Sequence, residues 1–301
     1  MAVAVAWASS LGVGATGCAA QSGGARGEAG STRDAAPKGP RAMVVATIHK
    51  GHLLQKGYPL GLLCKIVDAY RPDVVLVEVR PEAFQAGHYE DGPFEMTAVA
   101  MCAKARHIDV APIDWWLESD LESREPSLSP EEAKAFEAER ARLKEPTWPT
   151  FDLANSPAEW KRGVELLNAQ ARFLGGNPIW TRRQAWFHHR ALGAIEQTHK
   201  RRALAFVGFN HAPELAAFLG SVGVQIDSPL SLDLGDPASA NDPAPAEVVD
   251  TWRAGEKRLE EAASGLASEG KQRYAAKIRY FDVAVQRRGT CCVEEKELAP
   301  R

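Results

Sequence analysis

Five short apolar runs, rich in β-branched residues, punctuate the chain between longer segments of helical period. MVVATIH (43–49), DVVLVEV (73–79), IDVAPID (108–114), ALAFVGF (203–209) and VQID (224–227) read as strands. The first, second and fourth are apolar at consecutive positions, as strands covered on both faces are. LGLLCKIVDAY (60–70) has the apolar spacing of a helix and is stopped by Arg71-Pro72-Asp73. FEMTAVAMCAKARH (94–107) is a second helix. Strand, helix, strand, helix, strand at this spacing predicts parallel pairing through right-handed crossovers.

The middle of the chain differs. PEEAKAFEAERARLKE (130–145) is a highly charged helix. Ser156 as N-cap, Pro157 at N1 and Glu159 at N3 open another, which runs to about Leu174 and is ended by Gly175-Gly176. A further helix spans about 180–199, and residues 117–180 read as a helical insertion over the sheet, a candidate lid. NHAPELAAFLGSVG follows the fourth strand as a helix, DPASANDPAPAE (236–247) is a loop, and two helices at about 246–264 and 268–288 complete the chain. The expected fold is α/β: a central, mostly parallel sheet flanked by helices, with a helical insertion and C-terminal helices, all within one domain over 41–301.

Composition narrows the classes. The 301 residues are 45% hydrophobic, enough for one large core or two small ones. A net charge of -3, with Arg and Lys scattered among Glu, excludes nucleic acid as an expected partner. No apolar stretch reaches the roughly 20 residues of a membrane-spanning helix. Residues 1–17 carry no charge and are rich in Ala, Val and Gly, and Ala15-Thr16-Gly17-Cys18 resembles a bacterial lipobox. That reading makes 1–17 a signal peptide, Cys18 the lipidated residue, 18–40 a flexible tether and the cell envelope the destination, on the periplasmic face of a bacterial membrane. No Lys or Arg precedes the apolar run, so a plain Ala/Gly tail is the alternative. The cysteines 64, 102, 291 and 292 match no zinc-ligand spacing; Cys64 and Cys102 read as small core residues, and the redox state of Cys291 and Cys292 stays open.

The candidate chemistry lies at strand ends. His49, Glu78 and Asp114 close the first three runs, and His211 stands just past the fourth. Open α/β sheets bind ligands outside the carboxyl ends of their strands, so these four converge on one rim. Two imidazoles and a carboxylate suit a borderline divalent ion such as Mn, Co or Zn, which makes His49, Glu78 and His211 the candidate ligands. Glu78 is alternatively the general base, because a carboxylate inside VLVEV is costly to bury without a partner. Its plainest explanation is an ion pair with Arg80 or Arg183, and the plainest role of Asp114 is to cap the exit from its strand. Glu95, His52 and Trp115 are further pocket candidates: Glu95 if its helix faces the rim, His52 if a helical turn begins after His49, and Trp115 as an aromatic wall. His88, Glu90 and Asp91 read as solvent-facing loop residues. No Gly-x-Ser-x-Gly elbow or P-loop is present.

These residues carry a resemblance. ATIH, a helix and RPDVVLVEV, followed late in the chain by Gly208-Phe209-Asn210-His211, resemble the TraB/GumN/Tiki group, part of a superfamily with erythromycin esterases and ChaN-like haem-binding lipoproteins. The pattern is a strand ending in Gly-x-x-His, a helix, Pro-Asp-x-(apolar)-Glu, then an arginine ahead of a second Gly-x-x-His. Arg183 fits the arginine, with Arg182 and Arg190 as rivals, and Ala46 stands where the first motif has glycine. The likeness covers roughly 43–115 and 180–227. It implies a metal-dependent hydrolase, of metalloprotease or esterase type, with Glu78 and Arg183 catalytic, a peptide or small molecule as substrate and a membrane attachment through Cys18. The alternatives are a non-catalytic haem-, metal- or peptide-binding lipoprotein of the same fold and a protein–protein module.

Overall fold

The five apolar runs assemble into one all-parallel sheet of order β3-β2-β4-β1-β5. β1 (Arg41–Thr47) lies between β4 (Arg202–Gly208) and β5 (Gln225–Asp227), and β2 (Val74–Val77) lies between β4 and β3 (Asp109–Pro112). The computed structural model describes residues 39–117, 119–120, 128–143, 148–174, 178–197, 202–266 and 268–299. The leader reading, with Cys18, and the Gly175-Gly176 stop fall outside the described residues.

Side-chain alternation sorts each strand into two faces. Met43, Val45, Val75, Val77, Leu204 and Phe206 form one core with α2 (Gly61–Tyr70), α4 (Phe94–Ala105), α10 (Ala246–Ser264) and α11 (Ser268–Arg287). Ala42, Val44, Ala46, Leu76, Ala203, Ala205 and Val207 form the other with α8 (Pro178–Gln197) and α9 (Ala212–Ser221). Handedness explains the sorting. The steps from β1 to β2 and from β2 to β3 travel one way along the sheet, so right-handed crossovers set α2 and α4 on one face. The steps from β3 to β4 and from β4 to β5 travel the other way, which sets α8 and α9 opposite. The loops leaving the neighbouring strands β1 and β4 therefore part to opposite faces, and a crevice opens between them at the carboxyl edge.

The connection from β3 to β4 holds α5 (Pro130–Leu143), α6 (Phe151–Ala154), α7 (Pro157–Leu174) and α8. α5 buries no residue and touches α7 through Phe136 and Phe173, whose ring centres are 5.5 Å apart. At the start of α7 the Glu159 amide donates to Ser156 Oγ at 3.2 Å, as the sequence predicts. The Glu159 carboxylate turns to Arg162 at 3.0 Å instead of closing the capping box. No described helix is long and apolar enough to cross a membrane.

The cysteines depart from their expected role. Cys64 of α2 and Cys102 of α4 are joined in a disulfide across a Cα separation of 6.0 Å, within the ordinary range, rather than packing as free thiols. Cys291 and Cys292 are also joined.

Phe206 sits at the centre of the sheet with no exposure. Phe206→Ala is expected to cost about 3–5 kcal/mol in urea unfolding, whereas Leu230→Ala at a 41% exposed position is expected to stay within about 0.5 kcal/mol.

Candidate functional site

The strands stop short of the candidate residues. β1 ends at Thr47, β2 at Val77 and β3 at Pro112. His49, Glu78 and Asp114 thus stand just past the strand ends, and of the three the Asp114 amide still bonds across, to the Val79 carbonyl at 3.2 Å. Glu78 is 2% exposed. Its Oε2 accepts from the Gly208 amide at 2.7 Å, and its Oε1 accepts from Arg183 Nη2 at 2.7 Å. Arg183 also donates from Nε and Nη2 to the two oxygens of Asp114, each at 2.6 Å. One guanidinium thus ties a residue of α8 to the ends of two strands. Burial pushes the Glu78 carboxyl upward, and the charges of Arg183 and His49 pull against it. Burial likewise opposes the Arg183 charge, but Asp114 and Glu78 outweigh it and raise the guanidinium further, so it stays protonated.

His49 adopts a left-handed backbone with φ 47°, uncommon for a residue with a Cβ. Its Nδ1 is 2.7 Å from Glu95 Oε1, and the ring is 44% exposed while Glu95 is fully buried. Burial opposes the charged imidazole, but the adjoining Glu95 carboxylate prevails, with help from Glu78, and the ring is pushed up to about 9. Nε2 points to Gly208: a Cβ built there would lie 2.6 Å from it and 3.4 Å from Glu78 Oε2. The glycine of the second motif is required by this close approach. Ala46, at the glycine position of the first motif, turns its methyl into the α8–α9 core, away from the crevice.

His211 is 4% exposed and lies flat between Trp180 and Phe187, with ring centres 4.3 and 4.6 Å away. Its Nδ1 bonds to Gln184 Oε1. The Gln184 amide nitrogen donates to Glu214 at 2.6 Å, which turns the carbonyl oxygen toward the histidine. Burial, then the charges of Arg183 and His49, holds the His211 pKa well below the ordinary imidazole value. The neutral ring therefore donates from Nδ1 and keeps its lone pair on Nε2, which stands 3.8 Å from Glu78 Oε1.

The chain matches no family model, no curated protein and no solved structure.

The structure brings His49, Glu78, Glu95, Asp114, Arg183 and His211 together, and it selects Arg183 over its rivals. Arg182 lies over Trp115 and reaches Asp120, and Arg190 lies over Trp186. Trp115 stacks on Trp186 at 5.8 Å, half-buried. His52 is corrected. It lies in α1 (Gly51–Leu54), fully buried, with Nδ1 donating to the Tyr58 carbonyl at 2.9 Å and Nε2 accepting from the Ile48 amide at 3.3 Å. Both ring nitrogens are engaged by backbone, so His52 supports the fold and cannot ligate. Glu90 and Asp91 are also corrected: both are buried, Glu90 against Arg258 and Asp91 against Arg80. Arg80, a rival partner for Glu78, is thereby accounted for. Gln184, Trp180 and Phe187 were not anticipated. The signal was present, since Trp180, Arg183, Gln184 and Phe187 fall at i, i+3, i+4 and i+7, one face of a helix.

Imidazole and carboxylate are donor types that ligate borderline divalent ions. Each histidine has Nδ1 held by an outer acceptor, Glu95 or Gln184, leaving Nε2 toward the crevice, as outer-shell partners of metal-bound histidines do. Glu95 Oε2 is buried without a partner, and the carboxylates of Glu78 and Asp114 share one guanidinium. Arg183 already seats a positive charge on Glu78. Among the described residues no three His, Cys, Asp or Glu side chains stand in ion-holding geometry.

His49 titrates near 9 when folded, above the 6.5 of a free imidazole, so the native state holds its proton more tightly. The stability this pair supplies is complete below the unfolded value and fades as pH rises through the folded one. In chelator-treated protein, urea unfolding at about pH 6 and about pH 9.5 is expected to show a larger loss for wild type than for His49→Asn. Equal losses would place that proton elsewhere.

Proposed function

We propose that the crevice is the active site of a metal-dependent hydrolase of TraB/GumN/Tiki-like type, acting on a peptide or another small molecule. The observation that carries this reading is the matched orientation of two imidazoles: His49 and His211 are each held at Nδ1 and each offer Nε2 on the side where Glu78 lies. His49, Glu78 and His211 would hold the ion, Mn, Co or Zn. Such an ion lowers the pKa of a bound water to about 7 and polarises a carbonyl.

The chain's own groups supply the rest. Glu78, buried and raised in pKa, is suited, where it does not ligate the ion, to take a proton from the attacking water instead. Arg183 holds Glu78 and Asp114 in place and sets a permanent positive charge where a carbonyl oxygen gains negative charge. Trp180 and Phe187 shield His211 from water and fix the plane of its ring. The Cys64–Cys102 disulfide is of a kind that persists in oxidising compartments, which supports the cell-envelope reading with Cys18 as anchor.

A second reading rests on Arg183. Its guanidinium fills the cation position on Glu78, and the His49–Glu95 dyad has the form of a general base with its orienting carboxylate. In that reading His49 Nε2 takes the proton of water only in molecules whose ring has lost its own proton, so turnover climbs as pH rises toward about 9, and no ion takes part.

The test is elemental analysis of the purified full chain, with hydrolysis of a peptide library and simple esters before and after chelation. His211→Ala is expected to abolish turnover. Gln184→Leu is expected to lower metal affinity or turnover about 10- to 100-fold, the usual consequence of losing an outer-shell partner. Turnover that survives chelation selects the metal-free reading. Equal turnover in wild type and His211→Ala overturns the metal reading, equal turnover in wild type and His49→Asn overturns both, and a haem Soret shift without turnover identifies a binding protein instead.

A further inference from the structure

The adjacent cysteines 291 and 292 take no part in the proposed chemistry, yet they lie against the loop that carries His49. They belong to the tail that follows α11, where Cys292 is exposed and Cys291 half-buried. The amides of Cys292 and Val293 both donate to the Leu53 carbonyl, at 2.9 and 3.0 Å. Leu53 is fully buried in α1, the single turn that leaves His49. That turn opens on the His49 carbonyl, which accepts from the His52 amide at 3.0 Å. A helix leaves its last carbonyls without partners of its own, so the two tail amides satisfy a group that would otherwise be buried unpaired. Lys50, next to His49, also reaches Glu295 of the same tail at 3.4 Å. The cysteine pair is thus joined to the backbone of His49 through one helical turn.

The pair has the chemistry of a labile bridge. Ordinary disulfides join Cα atoms roughly 4.4–6.8 Å apart. Neighbours on a trans peptide are held closer, here at 3.7 Å. Bridges outside the ordinary range, and exposed ones, are the readily reduced kind. Cys64–Cys102, at 6.0 Å and with Cys102 buried, has neither property. Closing the bridge also makes a small ring around the 291–292 peptide. Within it Cys292 has φ 87°, a backbone conformation that residues with a Cβ rarely adopt. The tail is fastened on both sides of the ring. Before it, the Cys291 amide donates to Asn241 Oδ1 at 2.6 Å. After it, the Glu297 carbonyl accepts from Arg279 at 2.6 Å and Leu298 is buried. Opening the ring lets Cys292 return to negative φ. With both flanks held, the change falls on the Cys292 and Val293 amides, which are the ones that hold α1.

We infer that Cys291–Cys292 is a redox-modification site whose reduction by a dithiol loosens the turn behind His49 and so regulates the crevice. A thiolate of the reductant attacks the exposed Cys292 sulfur, the bond between the two cysteine sulfurs breaks, and Cys291 leaves as thiolate. The second thiol of the reductant then attacks the mixed disulfide, closes the reductant's own disulfide and releases Cys292. Two electrons pass from the dithiol to the pair, and its two protons end on the Cys291 and Cys292 thiols. Control of turnover rests on the crevice being an active site; the reduction and the loosening do not.

The experiment takes the purified full chain, oxidised with diamide, and titrates it with dithiothreitol. Free thiols are trapped by alkylation and located by peptide mass spectrometry. Cys291 and Cys292 are expected to open at a dithiol concentration about tenfold or more below the one that opens Cys64–Cys102. At that concentration the Cys292 and Val293 amides are expected to exchange with solvent about tenfold faster, and the His49 ring resonance of histidine-labelled protein is expected to shift. The double variant Cys291→Ser, Cys292→Ser is expected to match reduced wild type and to ignore the dithiol. Peptide or ester turnover is expected to fall on reduction in wild type and to stay at the reduced level in the variant. A pair that diamide does not close, or that opens only together with Cys64–Cys102, overturns the inference. So do unchanged amide exchange, an unmoved His49 resonance, a serine variant that still responds to the dithiol, or equal turnover in the two states of wild type. Turnover absent from both states removes the hydrolase reading instead, and the exchange and resonance then decide. Should the serine variant lack a native thermal transition, the wild-type measurements decide alone.

Discussion

A carboxylate at the mouth of a valine strand stays charged inside a protein only if donors and a positive charge reach it there. For Glu78 the donors are the Gly208 amide, from the neighbouring strand, and Arg183, from a helix more than a hundred residues away. Much of the architecture follows from this. β4 must lie beside β2 so that its last amide faces Glu78. α8 must cross the carboxyl edge so that its arginine arrives there. Asp114 then holds the other side of the guanidinium and ties the end of β3 to the same point. Breaking such a cluster at one partner leaves an uncompensated buried charge, which costs more than the intact cluster contributes.

The sheet was legible because hydrophobic period and handedness are local rules. Apolar runs mark the strands, and crossover chirality then decides which helix covers which face. The convergence of His49, Glu78, Asp114 and His211 was legible for the same reason: residues that end parallel strands share an edge. What the sequence could not show was how the polar groups pair. Glu90 and Asp91 sit in a loop sequence that reads as solvated, yet arginines from α10 and from just beyond β2 bury them. His52, three residues after His49, reads as a solvated loop residue or, if a helical turn begins there, as an extra ligand; the turn does form, and the ring is buried. Its nitrogens are taken instead by the Tyr58 carbonyl and the Ile48 amide, partners that exist only once the loop has closed. Cys64 and Cys102 are 38 residues apart in sequence, and only the packing of α2 on α4 makes them neighbours.

The two histidine motifs look alike in sequence and differ in physical demand. Gly208 has no room for a side chain, because His49 Nε2 and Glu78 Oε2 occupy the space a Cβ would take. At position 46 the side chain points the opposite way, so alanine there packs in the core and leaves the crevice as it is. Alanine at position 46 therefore bears on helix packing and not on the crevice. The restriction that matters is at Gly208, where the backbone must pass close under an imidazole.

The rim draws its groups from distant parts of the chain. The segments just past β1, β2 and β3 supply His49, Glu78 and Asp114, α4 supplies Glu95, and His211 caps the start of α9. α8, at the end of the helical insertion, supplies Arg183 together with Gln184, Trp180 and Phe187, which seat His211. The permanent cation on Glu78 and Asp114 comes from a helix and not from a strand end, where Arg80 is already paired with Asp91. Helices arriving from outside can move against the sheet with little cost to its hydrogen bonds. The charge on Glu78 and Asp114 is thus set by the seating of α8, around a constellation at the strand ends that the sheet keeps fixed.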